Sequence, residues 1–193
     1  MCQLILASGS PWRRQLLNQL QLPYHWTTPD IDEQPYANES PTALVERLAL
    51  SKAEAVTQDW PAHVIIGSDQ VAVFNQEILG KPVDTTAAQA QLARFSGQHV
   101  SFFTGLALID THNNSRRLCH ERYDVVFRQL THKEITNYID REQPLDCAGS
   151  FRMEGLGITL FERLQGDDPN TLIGLPLIRL CQWLREAGLD PLG

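Results

Sequence analysis

Residues 4–14 read Leu-Ile-Leu-Ala-Ser-Gly-Ser-Pro-Trp-Arg-Arg, and no other stretch constrains the fold as much. A short continuous apolar run, Leu4 to Ala7, is expected of a buried strand. Ser10 is a good N-cap and Pro11 suits the first helical position. The helix that follows is expected to reach about residue 21, with Leu16, Leu17 and Leu20 on one face. A strand fed by a tight loop into a helix N-terminus is the opening of an α/β fold.

The rest of the chain keeps alternating. Residues 22–39 are rich in proline and acid and read as loop or irregular strand. Ser40-Pro41 repeats the cap signature and starts a helix to about Gln58, with Leu44, Leu48, Ser51 and Ala55 along one stripe. A strand is expected over His63–Ile66, interrupted by Gly67-Ser68-Asp69 and resumed over Gln70–Phe74, with a turn at Asn75-Gln76. Thr85 or Thr86 caps a helix ending near Gly97. Val100–Ile109 and Leu118–Arg128 form a hairpin around the polar turn Thr111–Ser115. Thr131 and Glu134 make a capping box for a helix to about Arg141. Ile158–Leu164 reads as a strand, and Leu175–Ala187 as an amphipathic helix closed by Gly188. Because the hairpin is antiparallel, the expected fold is α/β with a mixed sheet flanked by helices.

Composition narrows the function. With 193 residues, 42% hydrophobic and 20% charged, the chain can build one domain or two closely joined lobes without a disulfide or structural metal. No linker is long enough to mark a domain boundary. A net charge of -7 argues against a long nucleic acid as main partner, since phosphate backbones reward a basic stripe. It leaves room for a single nucleotide, which needs only a few local cations or a metal held by carboxylates. Cys2, Cys119, Cys147 and Cys181 show no CxxC spacing and read as free thiols in a reducing compartment. The apolar start is too short for a secretory signal and no run suggests a membrane span, so a cytoplasmic location and no membrane partner are expected.

Four segments are candidates for chemistry. Ser8 to Arg14 places backbone N–H groups, two hydroxyls and a guanidinium at a helix N-terminus, where anions are favoured. The same residues also suit a capped helix with surface arginines. Asp30-Ile31-Asp32-Glu33 could hold Mg²⁺ or Mn²⁺, or be a solvated loop. Asp69, after a hydrophobic strand, could hold metal or take a proton from water, or simply form a turn. Lys81, in Gly80-Lys81-Pro82, could meet a phosphate, though such a tripeptide is more often a turn. Arg152 to Gly157 surrounds Glu154 with glycine and is by itself a surface loop. HExxH, GxxxxGK[ST] and GxSxG are absent.

Together these segments resemble the Maf family of nucleotide pyrophosphatases. The resemblance runs through LILASGSPWRR at 4–14, DIDE at 30–33, ERLALSKA at 46–53, IIGSDQV at 65–71, GKP at 80–82, FFTGLAL at 102–108 and CAGSFRMEGLGITLFERLQGDDPNTLIGLPL at 147–177. It treats the chain as a single Maf-like domain and implies two lobes with a central cleft, similar to the inosine-triphosphate (Ham1-like) pyrophosphatases. It implies Asp69 as general base, Ser8, Arg13, Lys52 and Lys81 as phosphate-binding residues, and Glu33 with Asp69 as ligands of a divalent cation, Mg²⁺ or Mn²⁺. The three positions that mark substrate choice in the family read Trp12, Gln70 and Glu154, which resembles the branch acting on 7-methyl-GTP. The dTTP/UTP branch, with SPRR, SDT and a glutamine there, is the alternative. A second alternative is a non-catalytic nucleotide sensor, because the family has been linked to inhibition of septum formation. A homodimer is compatible with the sequence.

The physics of the base agrees with the first branch. N7-methylation makes guanine cationic, a Trp face attracts a cation, and a Glu carboxylate complements it. Asp69 and Gln70 are neighbours, however, and neighbours on a regular strand point to opposite faces. Both serve one cleft only if the strand ends or bulges at Gly67-Ser68.

Overall fold

The computed structural model describes residues 3–193; Cys2, read above as a free thiol, lies outside them. Seven strands are described: β1 (Gln3–Ala7), β2 (Tyr24–Thr27), β3 (His63–Phe74), β4 (Glu77–Leu79), β5 (His99–Asp110), β6 (Ser115–Phe127) and β7 (Phe161–Gln165). The helices are α1 (Pro11–Asn18), α2 (Pro41–Glu54), α3 (Thr85–Phe95), α4 (His132–Glu142), α5 (Asn170–Ile173) and α6 (Leu177–Glu186). The strands run β2-β1-β3-β5-β6-β7, with β4 on β3. β1 is parallel to β2 and β3, while β3–β4 and β6–β7 are antiparallel, so the sheet is mixed as expected. The chain folds as two compact units, one of residues up to 70 with 104–121 and 168–193, the other of 71–103 and 122–167. No helix among the described residues is long and apolar enough to cross a membrane.

In the first unit the pleat of β1 explains the layering. Leu4 and Leu6 pack with Leu16, Leu17, Leu180, Trp183 and Leu184 of α1 and α6. Ile5 and Ala7 point the other way, onto Ala49 and Ala53 of α2. A strand buried on both faces has no polar side to show, which is why its sequence is an unbroken apolar run. The α2 stripe differs from the expected one. Leu44, Val45, Leu48, Ala49, Lys52 and Ala53 are buried, and Ala55 is exposed. Small residues turn inward because α2 lies close on the sheet: a Cβ at Gly67 would collide with the carbonyl oxygen of Ala49. Gly67→Ala should therefore cost on the order of 3 kcal/mol, since backbone, not a flexible side chain, would have to move. Urea unfolding reads this directly, and a variant as stable as the parent would show that α2 yields freely.

Local signals set most helix starts. Ser10 and Ser40 accept from Arg13 N and Ala43 N, each ahead of a proline. Thr131 and Glu134 form the reciprocal capping box. The α3 cap is Asp84, whose carboxylate accepts from Ala87 N at 2.7 Å, and not Thr85 or Thr86. Gly188, at φ 76, follows the last turn of α6. α1 stops at Asn18 and α2 at Glu54, each giving way to turns before the expected end.

The second unit holds a cluster of phenylalanine rings, packed edge to face except for the tilted Phe95–Phe127 pair. Phe127 meets Phe95, Phe151 and Phe161, with Phe74 on Phe95 and Phe102 on Phe151. Asn75 and Gln76, both at positive φ, make the two-residue turn into β4. The expected strand from 158 is displaced: Leu156–Leu160 is a 3₁₀ turn, with Thr159 Oγ1 donating to Leu156 O, and β7 begins only at Phe161.

Candidate active site

The β1–β3 pairing ends at Ala7↔Gly67, and the chain beyond it carries the chemistry. Parallel α/β sheets bind ligands beyond their strand ends. Ser8 and Ser10 lead from β1 into α1, with Ser10 N donating to Ser8 Oγ at 3.2 Å. Arg13, in the first turns of α1, donates Nε to Gly174 O at 2.8 Å and Nη1 to Ser8 Oγ at 3.4 Å. Burial pulls the Arg13 pKa below its ordinary value, and the Asp69 and Glu33 carboxylates pull it back up. It stays a cation at neutral pH. Trp12, one residue earlier, is half-buried.

Strand β3 runs without interruption from His63 to Phe74, which corrects the expected break at Gly67-Ser68-Asp69. Its faces alternate throughout. Asp69 shares a side with Gly67 and meets α2, where Lys52 Nζ donates to Asp69 Oδ1 at 2.6 Å. Ser68 and Gln70 face the other way, toward the segment around α5. Ser68 Oγ reaches Gly105 O and Gly174 O, and Gln70 Nε2 reaches Thr171 O, Leu172 O and Thr104 Oγ1. Ordinary polar partners on the second face satisfy the strand, so no bulge is needed.

Lys52 also pairs with Glu33, Nζ to Oε1 at 2.8 Å. One ammonium therefore holds two carboxylates, one buried and one 59% exposed, at a single point. Arg13, Lys52, Asp69 and Glu33 balance in formal charge. Asp69 and Glu33 carry hard oxygen donors of the kind Mg²⁺ or Mn²⁺ takes, and in this structure the Lys52 ammonium engages both. Among the described residues no group of three or more acidic, His or Cys side chains is placed to hold a metal. Of the other acids in this loop, Asp32 caps a turn, Oδ1 accepting from Gln34 N, and Asp30 is exposed.

Arg47 anchors the loop that carries Glu33. It donates Nε and Nη2 to the two oxygens of Glu39 at 2.7 and 2.8 Å, donates Nη2 to Gln34 O, and lies over the Tyr36 ring. The Arg47 hydrogen bonds, helped by Tyr36 N–H and opposed by burial, hold the Glu39 carboxyl at about 2 against an ordinary 4.5. A depressed folded pKa stabilises fully above 4.5 and loses that contribution as pH falls through about 2. Glu39→Gln should thus differ from the parent in urea midpoint at pH 6 and converge with it near pH 2; a constant gap would exclude this linkage.

On the second unit, Lys81 is exposed in the loop between β4 and α3. Glu154 lies at the surface turn before the 3₁₀ segment, and desolvation by the surrounding chain raises its pKa above the ordinary carboxylate value. Arg152 there is tied to Glu142 O, Gln143 O and Asp146. The cysteines described, Cys119, Cys147 and Cys181, are free thiols, and burial pushes Cys119 to about 11 and Cys147 to about 12.

Sequence reasoning did not single out Thr104, Thr171, Gly174 or Arg47. For Thr104, Thr171 and Gly174 the signal was present as polar or glycine positions set inside apolar runs, FFTGLAL and NTLIGLPL.

The fold is similar to that of a HAM1 protein from Coxiella burnetii, at TM-score 0.55 and 18% identity over 96% of this chain and 100% of that one. It is also similar to the Ham1 protein of Staphylococcus aureus, at TM-score 0.50 and 12% identity over 96% and 99% of the two chains. These place the chain in an α/β fold class shared with HAM1 proteins. The chain belongs to the Maf family: the model for Maf-like protein matches residues 3–187. A relative from Chromohalobacter salexigens named 7-methyl-GTP pyrophosphatase is 67% identical over the whole of both chains.

Proposed function

We propose that this protein is a metal-dependent 7-methyl-GTP pyrophosphatase that hydrolyses a modified nucleotide to 7-methyl-GMP and pyrophosphate. The observation that carries the reading is the full-length 67% identity with a relative of that name, supported by the Arg13–Asp69–Lys52–Glu33 cluster just past the end of β1. It is a clearing activity for nucleotides the cell cannot use, carried out in the cytoplasm.

Water attacks the α-phosphorus in line with the departing pyrophosphate. Lys52 engages Asp69 Oδ1, and Oδ2 is the oxygen left to accept the water's proton. Arg13, Ser8 and the loop amides hold phosphate oxygens and offset the charge that pyrophosphate carries away. Lys81 supplies a further exposed cation. Asp69 and Glu33 would hold a divalent cation, which when bound lowers the pKa of water and neutralises phosphate charge. For the base, Trp12 offers a face to a cationic ring, worth about 2 kcal/mol when desolvated. Glu154 offers a carboxylate to that charge and to guanine N–H groups.

The test is pyrophosphate release from 7-methyl-GTP, GTP, dTTP, UTP and CTP with Mg²⁺ or Mn²⁺. The expected result is a preference for 7-methyl-GTP that falls about 30-fold in Trp12→Ala, the equivalent of the cation–π term. Preference for dTTP or UTP would keep the reaction and replace the substrate. Tight nucleotide binding without release would favour a sensor.

A further inference from the structure

We propose that Gln91 of α3 is a positioning residue for Lys81, its side-chain amide tying the loop that carries the lysine to the buried Ser150. This rests on the pyrophosphatase reading, because that reading assigns Lys81 to phosphate.

Packing holds the Lys81 loop on one side only. Pro82 is buried, whereas a Cβ added at Gly80 would meet nothing within 4 Å. A hydrogen bond acts where packing does not: Gln91 Nε2 donates to Gly80 O at 3.2 Å. The other end of the amide is held as well, Oε1 accepting from Ser150 Oγ at 2.6 Å. These two partners fix which way the amide lies. Gly80 O is a carbonyl and only accepts, so the atom facing it is the NH₂ group, and the oxygen is left to take the Ser150 proton. A reversed amide would set oxygen against oxygen at Gly80.

Ser150 occupies a position that glycine would suit better. It is fully buried, and its φ of 59 is a left-handed conformation that residues with a Cβ rarely adopt. Gly149 before it, at φ 76, lies against Phe102, where a Cβ would come within 2.8 Å of Cζ. Glycine takes such a backbone at no steric cost. At 150 the chain carries instead a side chain whose hydroxyl reaches Gln91. Strain of this kind persists where the surroundings over-determine it, and it collects near functional sites. The buried turn fixes Ser150, α3 fixes the stem of Gln91, and the amide passes both constraints to the Gly80 carbonyl. A loop ordered in this way loses less freedom when its lysine meets a phosphate.

Three substitutions separate the contacts. Gln91→Met keeps length and helix propensity and removes both hydrogen bonds. Gln91→Glu keeps an acceptor for Ser150 and turns an anion toward Gly80 O. Ser150→Gly suits the backbone and removes the hydroxyl, which keeps the inference testable if either Gln91 variant fails to fold. Nitrogen-15 relaxation should show the Gly80 and Lys81 amides near the rigid order parameter of about 0.85 in the parent and below about 0.6 in the Gln91 variants, with Ser150→Gly between them. The kcat/KM for 7-methyl-GTP should fall about fivefold in Gln91→Met and about 30-fold in Lys81→Ala, the equivalents of an ordinary and a charged hydrogen bond. The double variant should be no slower than Lys81→Ala alone, because no ammonium is then left to aim. A merely structural role for Gln91 would add its loss to that of Lys81→Ala, and additive losses overturn the proposal. Equal order parameters in parent and variants overturn it too. Lys81→Ala with the parent's kcat/KM would end the assignment of Lys81 to phosphate and this proposal with it. A parent that hydrolyses no nucleotide would instead remove the pyrophosphatase reading, and the order parameters would still decide whether Gln91 holds the loop.

Discussion

Asp69→Asn should fold normally and lose about a thousandfold in kcat, the middle of the range for a general base. Asparagine has the same shape, and its carbonyl oxygen can still accept from Lys52 Nζ, which lies 2.6 Å from Asp69 Oδ1. What it cannot do is take a proton from water or bring a full charge to a cation. The decisive measurement is single-turnover pyrophosphate release under saturating 7-methyl-GTP, alongside the thermal midpoint. A thousandfold slower chemical step with an unchanged midpoint supports the role. Turnover within a few fold of the parent would remove Asp69 from the chemistry and leave it as a partner for Lys52.

Lys52→Ala should be the most destabilising change at the site. Lys52 is 7% exposed and Asp69 8%, so deleting the ammonium leaves a buried carboxylate with Glu33 aimed at the same point. Breaking a buried pair on one side costs about 3 kcal/mol or more, because the remaining charge loses its compensation. The double change Lys52→Met with Asp69→Asn should recover much of that loss, since no charge is then stranded. Urea unfolding of the three variants reads this out. If the double variant is no more stable than Lys52→Ala, the lysine stem's packing, not the charge, carries the effect.

Both predictions concern residues that were legible in the chain only as separate motifs. Asp69 was visible as an acid after an apolar run and Lys52 only through the family resemblance. That one ammonium joins Asp69 to Glu33 was not visible, because the loop at 33 reaches α2 through Arg47 and Glu39, and nothing local announces that contact. The Gln70 question shows the same limit. Alternation along β3 correctly warned that Asp69 and Gln70 point apart, and the glycine at 67 suggested a break. The glycine serves instead to admit α2, and the strand continues through it.

By itself the sequence determined the features that act within a few residues: Ser10-Pro11, Ser40-Pro41 and the Thr131–Glu134 box as helix starts, the unbroken apolar run of β1, the hairpin of β5 and β6, and hence the α/β class with a mixed sheet. These are decided by backbone donors near their own caps and by the period of the apolar pattern, so they are written locally. Only the tertiary structure decided which face of β3 meets α2, that Lys52 joins Asp69 to Glu33, and that Arg13 is held by a carbonyl 161 residues away. Those outcomes depend on which donor finds which acceptor once distant segments pack. A chain does not encode such pairings at any one position, because each polar group has several adequate partners until burial removes all but one.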